Sequence, residues 1–235
     1  MPSGWPKRYE RAAVCLAIPE PHACRTIIDQ IAEGKLIIMD RSLVLIALFA
    51  AFVAALGLVP PIALPLPLGL GVPITAQSLG VMLCGTVLGA RRGALAVLLF
   101  LLLVAAGLPL LSGGRGGLGV FTGPTAGFLV GFPIAAFIAG LVVQHIREVD
   151  VRWTAMVGAF AGGIVALYVC GIGGLMVQKG MTAAAAAVAV MPFIPGDMFK
   201  VVLTGLITAA LARARPDSVL SLASSPVAAD DGAAP

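Results

Sequence analysis

Pro192-Phe193-Ile194-Pro195-Gly196-Asp197-Met198-Phe199-Lys200 leads into Val201-Val202-Leu203-Thr204-Gly205-Leu206-Ile207-Thr208-Ala209-Ala210-Leu211-Ala212, an apolar helix that opens with a carboxylate and an ammonium one turn apart. The i and i+3 spacing puts Asp197 and Lys200 on one helical face. Ionisable groups within a spanning segment are costly and ordinarily face a partner, a cavity or a substrate path. Mutual neutralisation, with Asp197 favoured near a helix N-terminus, is the plainest explanation. A bare ion pair in lipid is a poor stabilising device, however. A pair that also holds a polar ligand is the favoured reading.

The rest of the chain fits this setting. Of 235 residues, 60% are hydrophobic and 11% charged, against about 25% charged in soluble domains. An all-α integral membrane protein is therefore expected, with room for about six spans of about 20 residues. The 29 glycines and 17 prolines suit helices that pack closely or break at membrane depth. A net charge of +4 without a long basic run beyond residue 41 argues for membrane orientation and against nucleic-acid binding. Cys15, Cys24, Cys84 and Cys170 have no CxxC spacing, so no metal centre and no structural disulfide are expected.

Working outward from the last span, at about 195–212, hydropathy places five others at about 42–59, 76–90, 93–108, 125–144 and 153–177. Residues 182–191 are alanine-rich and too short to cross, and read as an interfacial or re-entrant helix. The first span carries Ala47, Ala51 and Ala55 at four-residue spacing, a row that lets another helix approach closely, either within the monomer or from a separate membrane subunit. The following connection holds Pro60, Pro61, Pro65, Pro67 and Pro73, which preclude a regular helix. It is apolar throughout and reads as a lid, with Thr75 and Gln77 as its polar groups. Arg91-Arg92 reads as a tight charged turn. The loop from Ser112 to Gly123 contains six glycines and Arg115; it lacks the GxxxxGK[ST] phosphate pattern, and a lone arginine in so apolar a setting favours a binding loop over a flexible linker. Gly123, Gly127 and Gly131 give the fourth span a close-packing face. Residues 1–40 read as a cytoplasmic extension or a misannotated start, with Met39 as the alternative initiator. Residues 216–235 read as a disordered tail.

Arg41, Arg91, Arg92, Arg147, Arg152, Arg213 and Arg215 fall on one side of the membrane, and Arg115 and Lys179 on the other. The positive-inside rule then puts both termini in the cytoplasm. The proline-rich loop, the glycine-rich loop and the Asp197/Lys200 helix end meet at the outer mouth. No nucleophile–base arrangement lies within the spans, and His22 and His145 fall outside them. One intramembrane carboxylate with scattered cysteines makes no metal site. The mouth suits a ligand with N–H donors for Asp197, an anionic end for Lys200 or Arg115, and an apolar body.

Val72-Pro73-Ile74-Thr75-Ala76-Gln77-Ser78-Leu79-Gly80-Val81, Leu88-Gly89-Ala90-Arg91-Arg92-Gly93-Ala94, Gly107-Leu108-Pro109, the glycines from 113 to 119, Gly123-Pro124-Thr125-Ala126-Gly127-Phe128 and the 192–200 stretch together resemble the BioY family, the biotin-specific S components of energy-coupling-factor (ECF) transporters. The resemblance covers about residues 42–213. It implies a six-helix, ECF S-component-like fold in a bacterial cytoplasmic membrane, binding biotin at the outer face. It implies no cofactor and no enzymatic activity in this chain, because ATP hydrolysis would fall to two ATPase subunits joined through a T subunit. The Ala47/Ala51/Ala55 face would dock that subunit. Asp197 would accept the ureido N–H groups, Lys200 or Arg115 would pair with polar oxygen, and Thr75 and Gln77 would be further contacts. Three residues depart from the family pattern: Phe128 stands where tyrosine is common, Ala126 replaces a glycine, and Arg115 stands in the glycine-rich loop where smaller or amide residues are common. An S component for another vitamin, a self-sufficient secondary carrier and a membrane enzyme are the competing readings.

Overall fold

A computed structural model describes residues 35–60, 75–146, 149–215 and 219–222. The extension up to residue 34 and positions 61–74 of the proline-rich connection lie outside the described residues. The described part of a first unit is only the start of the first helix, and everything from Ile46 onward belongs to one second unit.

The described residues form helices and turns. Helix α1 (Lys35–Gly57) starts earlier than the expected span at 42. Helices α2 (Gln77–Leu88) and α3 (Ala90–Ala105) follow, then a 3-10 turn (Leu118–Thr122) and α4 (Ala126–His145). Helix α5 (Val151–Phe160) passes through a π-helical segment (Ala161–Ala166) into α6 (Leu167–Lys179). Helix α7 (Ala183–Val190) continues through a 3-10 turn (Met191–Phe193) into α8 (Ile194–Ala214). Among the described residues, three rods are long and apolar enough to cross a membrane: Ala126–His145, Val151–Lys179 and Ala183–Ala214. Arg41–Gly57 and Gln77–Leu88 are shorter apolar helices; with α3 they bring the number of rods to six.

Local chemistry accounts for the boundaries. Asp150 caps α5 by accepting from the Arg152 N–H at 2.9 Å, and the Thr182 hydroxyl accepts from Ala185 N–H at 3.3 Å at the start of α7. Such caps satisfy helix N–H groups that have no intrahelical partner. The turn between α2 and α3 is not at Arg91-Arg92 as expected. It is the single residue Gly89, at φ +85°, a conformation that glycine adopts without steric cost. The two arginines sit in the first turn of α3, Arg91 exposed and Arg92 half-buried. Residues 182–191 do not form a separate interfacial helix either: α7 runs into α8 because Pro192 and Pro195 each occupy a first-turn position, where a missing N–H costs nothing.

Helix α2 is the central element, with all its residues buried except Leu79. Twelve residues rise only about 18 Å, against a hydrocarbon thickness of about 30 Å. It is therefore too short to cross on its own, unlike the longer rods around it. Helix α4 packs on α2, α3, α5 and α6. Gly127 and Gly131 meet Cys170, Leu167 and Gly174 of α6, and a β-carbon on Gly127 would stand 2.5 Å from the Cys170 carbonyl oxygen. The glycine face of the fourth span is thus internal, although Gly123 does not contribute to it. Cys84 and Cys170 are free thiols, and Cys84 is buried.

Part of the region expected to be a disordered tail is docked. Val219 and Ser221 are 1% exposed. The Ser221 N–H donates to the Val87 carbonyl at 3.0 Å and its hydroxyl donates to the Thr86 carbonyl at 2.5 Å. Both acceptors lie in the last turn of α2, where carbonyls otherwise lack helical partners. Ala47, Ala51 and Ala55 all lie on the exposed face of α1, whereas Ala50 and Val53 pack inward.

Candidate functional site

The first turns of α2 and α8 lie side by side, and polar chemistry collects there. Lys200 Nζ stands 2.8 Å from Asp197 Oδ1, with the two side chains 12% and 8% exposed. The ammonium also donates to Ser78 Oγ at 2.9 Å. The second carboxylate oxygen, Asp197 Oδ2, accepts from the Tyr168 hydroxyl at 2.7 Å. Each carboxylate oxygen thus has one protein donor and keeps further lone-pair capacity, and the ammonium keeps one proton beyond its two described acceptors. A charge pair so little exposed is tolerable only when hydrogen bonds satisfy it on both sides.

Each neighbour reaches this cluster for a structural reason. The π segment before α6 inserts one extra residue into the rod, rotating the following side chains by about 100° relative to a regular helix. That rotation contributes to facing Leu167 and Tyr168 toward α8. Its glycines, Gly162 and Gly163, pack directly on Ala135 and Met82. The glycine-rich loop is a defined turn. Leu111 and Arg115 exchange backbone hydrogen bonds of 3.0 and 3.2 Å, closed through Gly113 and Gly114 at φ +81° and +69°. Arg115 is exposed on this turn, with its Nε donating to Ser112 O at 3.3 Å.

These groups line one cavity of about 80 Å³. Its polar wall comprises Thr75, Gln77, Ser78, Arg115, Thr125, Tyr168, Asp197 and Lys200. Its apolar wall is built from Phe128, Leu129 and Phe132 of α4 together with Leu167 and Phe193. All five residues expected at the mouth from sequence, namely Thr75, Gln77, Arg115, Asp197 and Lys200, are therefore brought together. Small-molecule sites commonly enclose about 300–1,000 Å³, so a ligand of vitamin size requires side chains to move. Arg115 is exposed and Phe128 is half-buried, as are Thr75 and Lys200, so these side chains have room to do so.

Gln77 behaves differently from a free ligand contact. Its Nε2 donates to Leu110 O at 3.0 Å and to Val53 O at 3.4 Å, while its Oε1 accepts from Ser112 N–H at 3.0 Å. One amide thereby ties α1, α2 and the glycine-rich turn together, and its hydrogen bonds go to the backbone. Gln77→Ala is expected to lower stability by about 1–3 kcal/mol, because buried partners lose their bonds; thermal unfolding in detergent measures this. Sequence reasoning did not identify Ser78 or Tyr168 as site residues. Tyr168 is one of two tyrosines in the chain and sits in a strongly apolar rod, which was the available signal. Among the described residues, no group of three or more His, Cys, Asp or Glu could hold a metal ion.

The arrangement presents adjacent hydrogen-bond acceptor and donor groups in an apolar-walled cleft, and the chain as a whole is similar in sequence and fold to known proteins. A Rhodobacter capsulatus protein named biotin transporter BioY is 54% identical over 192 residues, which are 78% of this chain and 99% of that protein. A Rhizobium etli biotin transporter BioY is 54% identical over 172 residues, 71% of this chain and 90% of its relative. A crystal structure of the S-component for biotin from an ECF-type ABC transporter superposes with a TM-score of 0.69 at 29% identity, covering 74% of this chain and 92% of that one. The family model described as the BioY family matches residues 31–217. With that match spanning the whole helical bundle, the chain belongs to the BioY family.

Proposed function

We propose that this protein is the S component of an ECF transporter for biotin, a multi-pass protein of a bacterial cytoplasmic membrane that captures biotin at the extracytoplasmic face. The observation that carries the reading is the buried Asp197–Lys200 pair, held by Tyr168 and Ser78 at one end of an apolar-walled cavity. A carboxylate and an ammonium 2.8 Å apart complement a ligand edge that offers N–H and C=O side by side, as a ureido ring does. The thiophane ring and aliphatic chain suit Phe128, Phe132 and Phe193.

The ionised carboxylate of biotin then belongs at the wet rim, since burying an unpaired charge is far more costly than burying a hydrogen-bonded neutral group. Arg115 is the exposed cation on that rim, and its guanidinium suits a carboxylate in a bidentate fork. Arg115→Gln is expected to weaken biotin binding by about tenfold, because solvent screens a forked pair at an exposed rim, while changing the affinity for biotin methyl ester by less than threefold. Titration calorimetry with both ligands tests this; equal losses for acid and ester would remove Arg115 from the carboxylate subsite.

Arg91, Arg92, Arg152, Arg213 and Arg215 occupy helix ends away from the cavity. By the positive-inside rule this supports cytoplasmic termini and an outward-facing cavity. The protein itself performs no chemistry on biotin. Energy comes from a T subunit and two ATPase subunits, with the Ala47/Ala51/Ala55 face of α1 as the docking surface and membrane lipid as the surrounding partner. Uptake of labelled biotin by cells without another biotin importer, with and without those subunits, tests the assignment. Uptake that survives ATP depletion without the subunits would favour a self-sufficient carrier.

A further inference from the structure

We infer that Ser78 is a positioning residue for ligand recognition: it holds the Lys200 ammonium so that the remaining N–H faces the cavity, and so favours ligands with a carbonyl oxygen beside their N–H donors. This rests on the reading of the Asp197–Lys200 pair as the ureido subsite.

The geometry defines the direction of each bond. Lys200 Nζ donates to Asp197 Oδ1 at 2.8 Å and to Ser78 Oγ at 2.9 Å. The Ser78 hydroxyl gives its own proton to the Thr75 carbonyl at 3.4 Å, so a lone pair is turned toward Lys200. An ammonium has three protons, and two of them are committed to acceptors on different helices. Lys200, Ser78 and Asp197 all line the cavity, where a ligand acceptor can meet the third proton.

The register that keeps Ser78 opposite Lys200 is built along the whole α2–α8 contact. The two helices run parallel, and three pairs share the same sequence separation of 122: Ser78–Lys200, Met82–Thr204 and Thr86–Thr208. Thr204 Oγ1 lies 3.8 Å from Met82 Sδ, and the two threonine hydroxyls of the last pair are 3.0 Å apart. Thr86, Thr204 and Thr208 are fully buried. Beyond the last rung, Ser221 bonds the carbonyls of Thr86 and Val87. Interhelical hydrogen bonds in membranes are individually modest, but rungs at both ends of a short helix oppose its sliding and its rotation. Ser78 therefore presents a fixed acceptor. Without it, the ammonium is drawn toward the Asp197 carboxylate and withdraws from the ligand.

The test is competition against labelled biotin on the purified full chain. The probes are biotin and 2-iminobiotin, whose guanidine group is protonated at neutral pH and so offers only N–H donors where biotin has its ureido carbonyl. The variants are Ser78→Ala, Ser78→Thr, Ser78→Cys and Lys200→Gln, each checked by thermal unfolding. Ser78→Ala is expected to weaken biotin by about tenfold, the effect of one hydrogen bond to a charged group, and 2-iminobiotin by less than threefold. Ser78→Thr should restore the biotin preference to within threefold of the unmodified protein. Ser78→Cys, with its weaker acceptor, should fall between them and decides the matter if the alanine variant does not fold. Equal losses for both ligands, or an unchanged preference, would overturn the role of Ser78 provided Lys200→Gln abolishes the preference. A preference unchanged by Lys200→Gln would instead overturn the ureido reading on which the inference depends.

Discussion

The Asp197→Asn variant is expected to lose biotin affinity by at least about 100-fold while remaining inserted and monodisperse. The substitution keeps side-chain shape but removes the charge that makes the bond to the ligand N–H strong. A hydrogen bond to a charged group is worth about 1.5–3 kcal/mol, and the ureido edge that faces the pair gives the carboxylate one N–H. Its loss corresponds to about 10–100-fold, at 1.4 kcal/mol per factor of ten, and leaving that buried ligand N–H unsatisfied adds to the cost. Asparagine also turns an N–H toward Lys200 or Tyr168, whose donors both point at the carboxylate now. Because Lys200 would be left as a buried cation, the double variant Asp197→Asn/Lys200→Met provides the control. It removes both charges and should regain thermal stability without regaining affinity. Binding within threefold of the unmodified protein in the single variant would return the pair to a purely structural role.

The second large effect is on transport and not on binding. Ala51→Trp is expected to leave biotin affinity within twofold and to reduce ATP-dependent uptake by at least about tenfold when partner subunits are present. Ala47, Ala51 and Ala55 are exposed, and Ala50 and Val53 carry the inward packing of α1. A bulky indole at Ala51 therefore adds no atoms to the core, yet it prevents the close helix approach that a small-residue row permits. Parallel binding and uptake assays check this. Normal uptake by the variant would remove the docking face from α1.

Much of the bundle was legible because intramembrane helices must be apolar and of a certain length. The errors in detail have physical causes. Reading Arg91-Arg92 as a turn treated charge as a loop marker, whereas long basic side chains can leave a helix and reach polar surroundings; the conformational requirement fell on Gly89. Reading residues 182–191 as a separate interfacial helix overlooked that Pro192 and Pro195 fall at first-turn positions, where proline is tolerated. Asp197, Lys200 and Arg115 stood out as charges in apolar surroundings. Gln77 was legible as a polar residue near the mouth, but not as a strut, because its partners Leu110 and Ser112 lie 33 and 35 residues away. Tyr168 reaches Asp197 beyond a π segment whose register is not encoded in a regular hydrophobic period. Ser78 is an ordinary serine until α8 is placed beside α2.

Titration of biotin into the purified chain in detergent, without partner subunits, separates recognition by the Asp197–Lys200 cavity from energy coupling. Saturable one-to-one binding that is lost in Asp197→Asn is expected. A folded sample that gives no saturable binding would contradict it, showing that the Asp197–Lys200 cavity does not recognise biotin on its own.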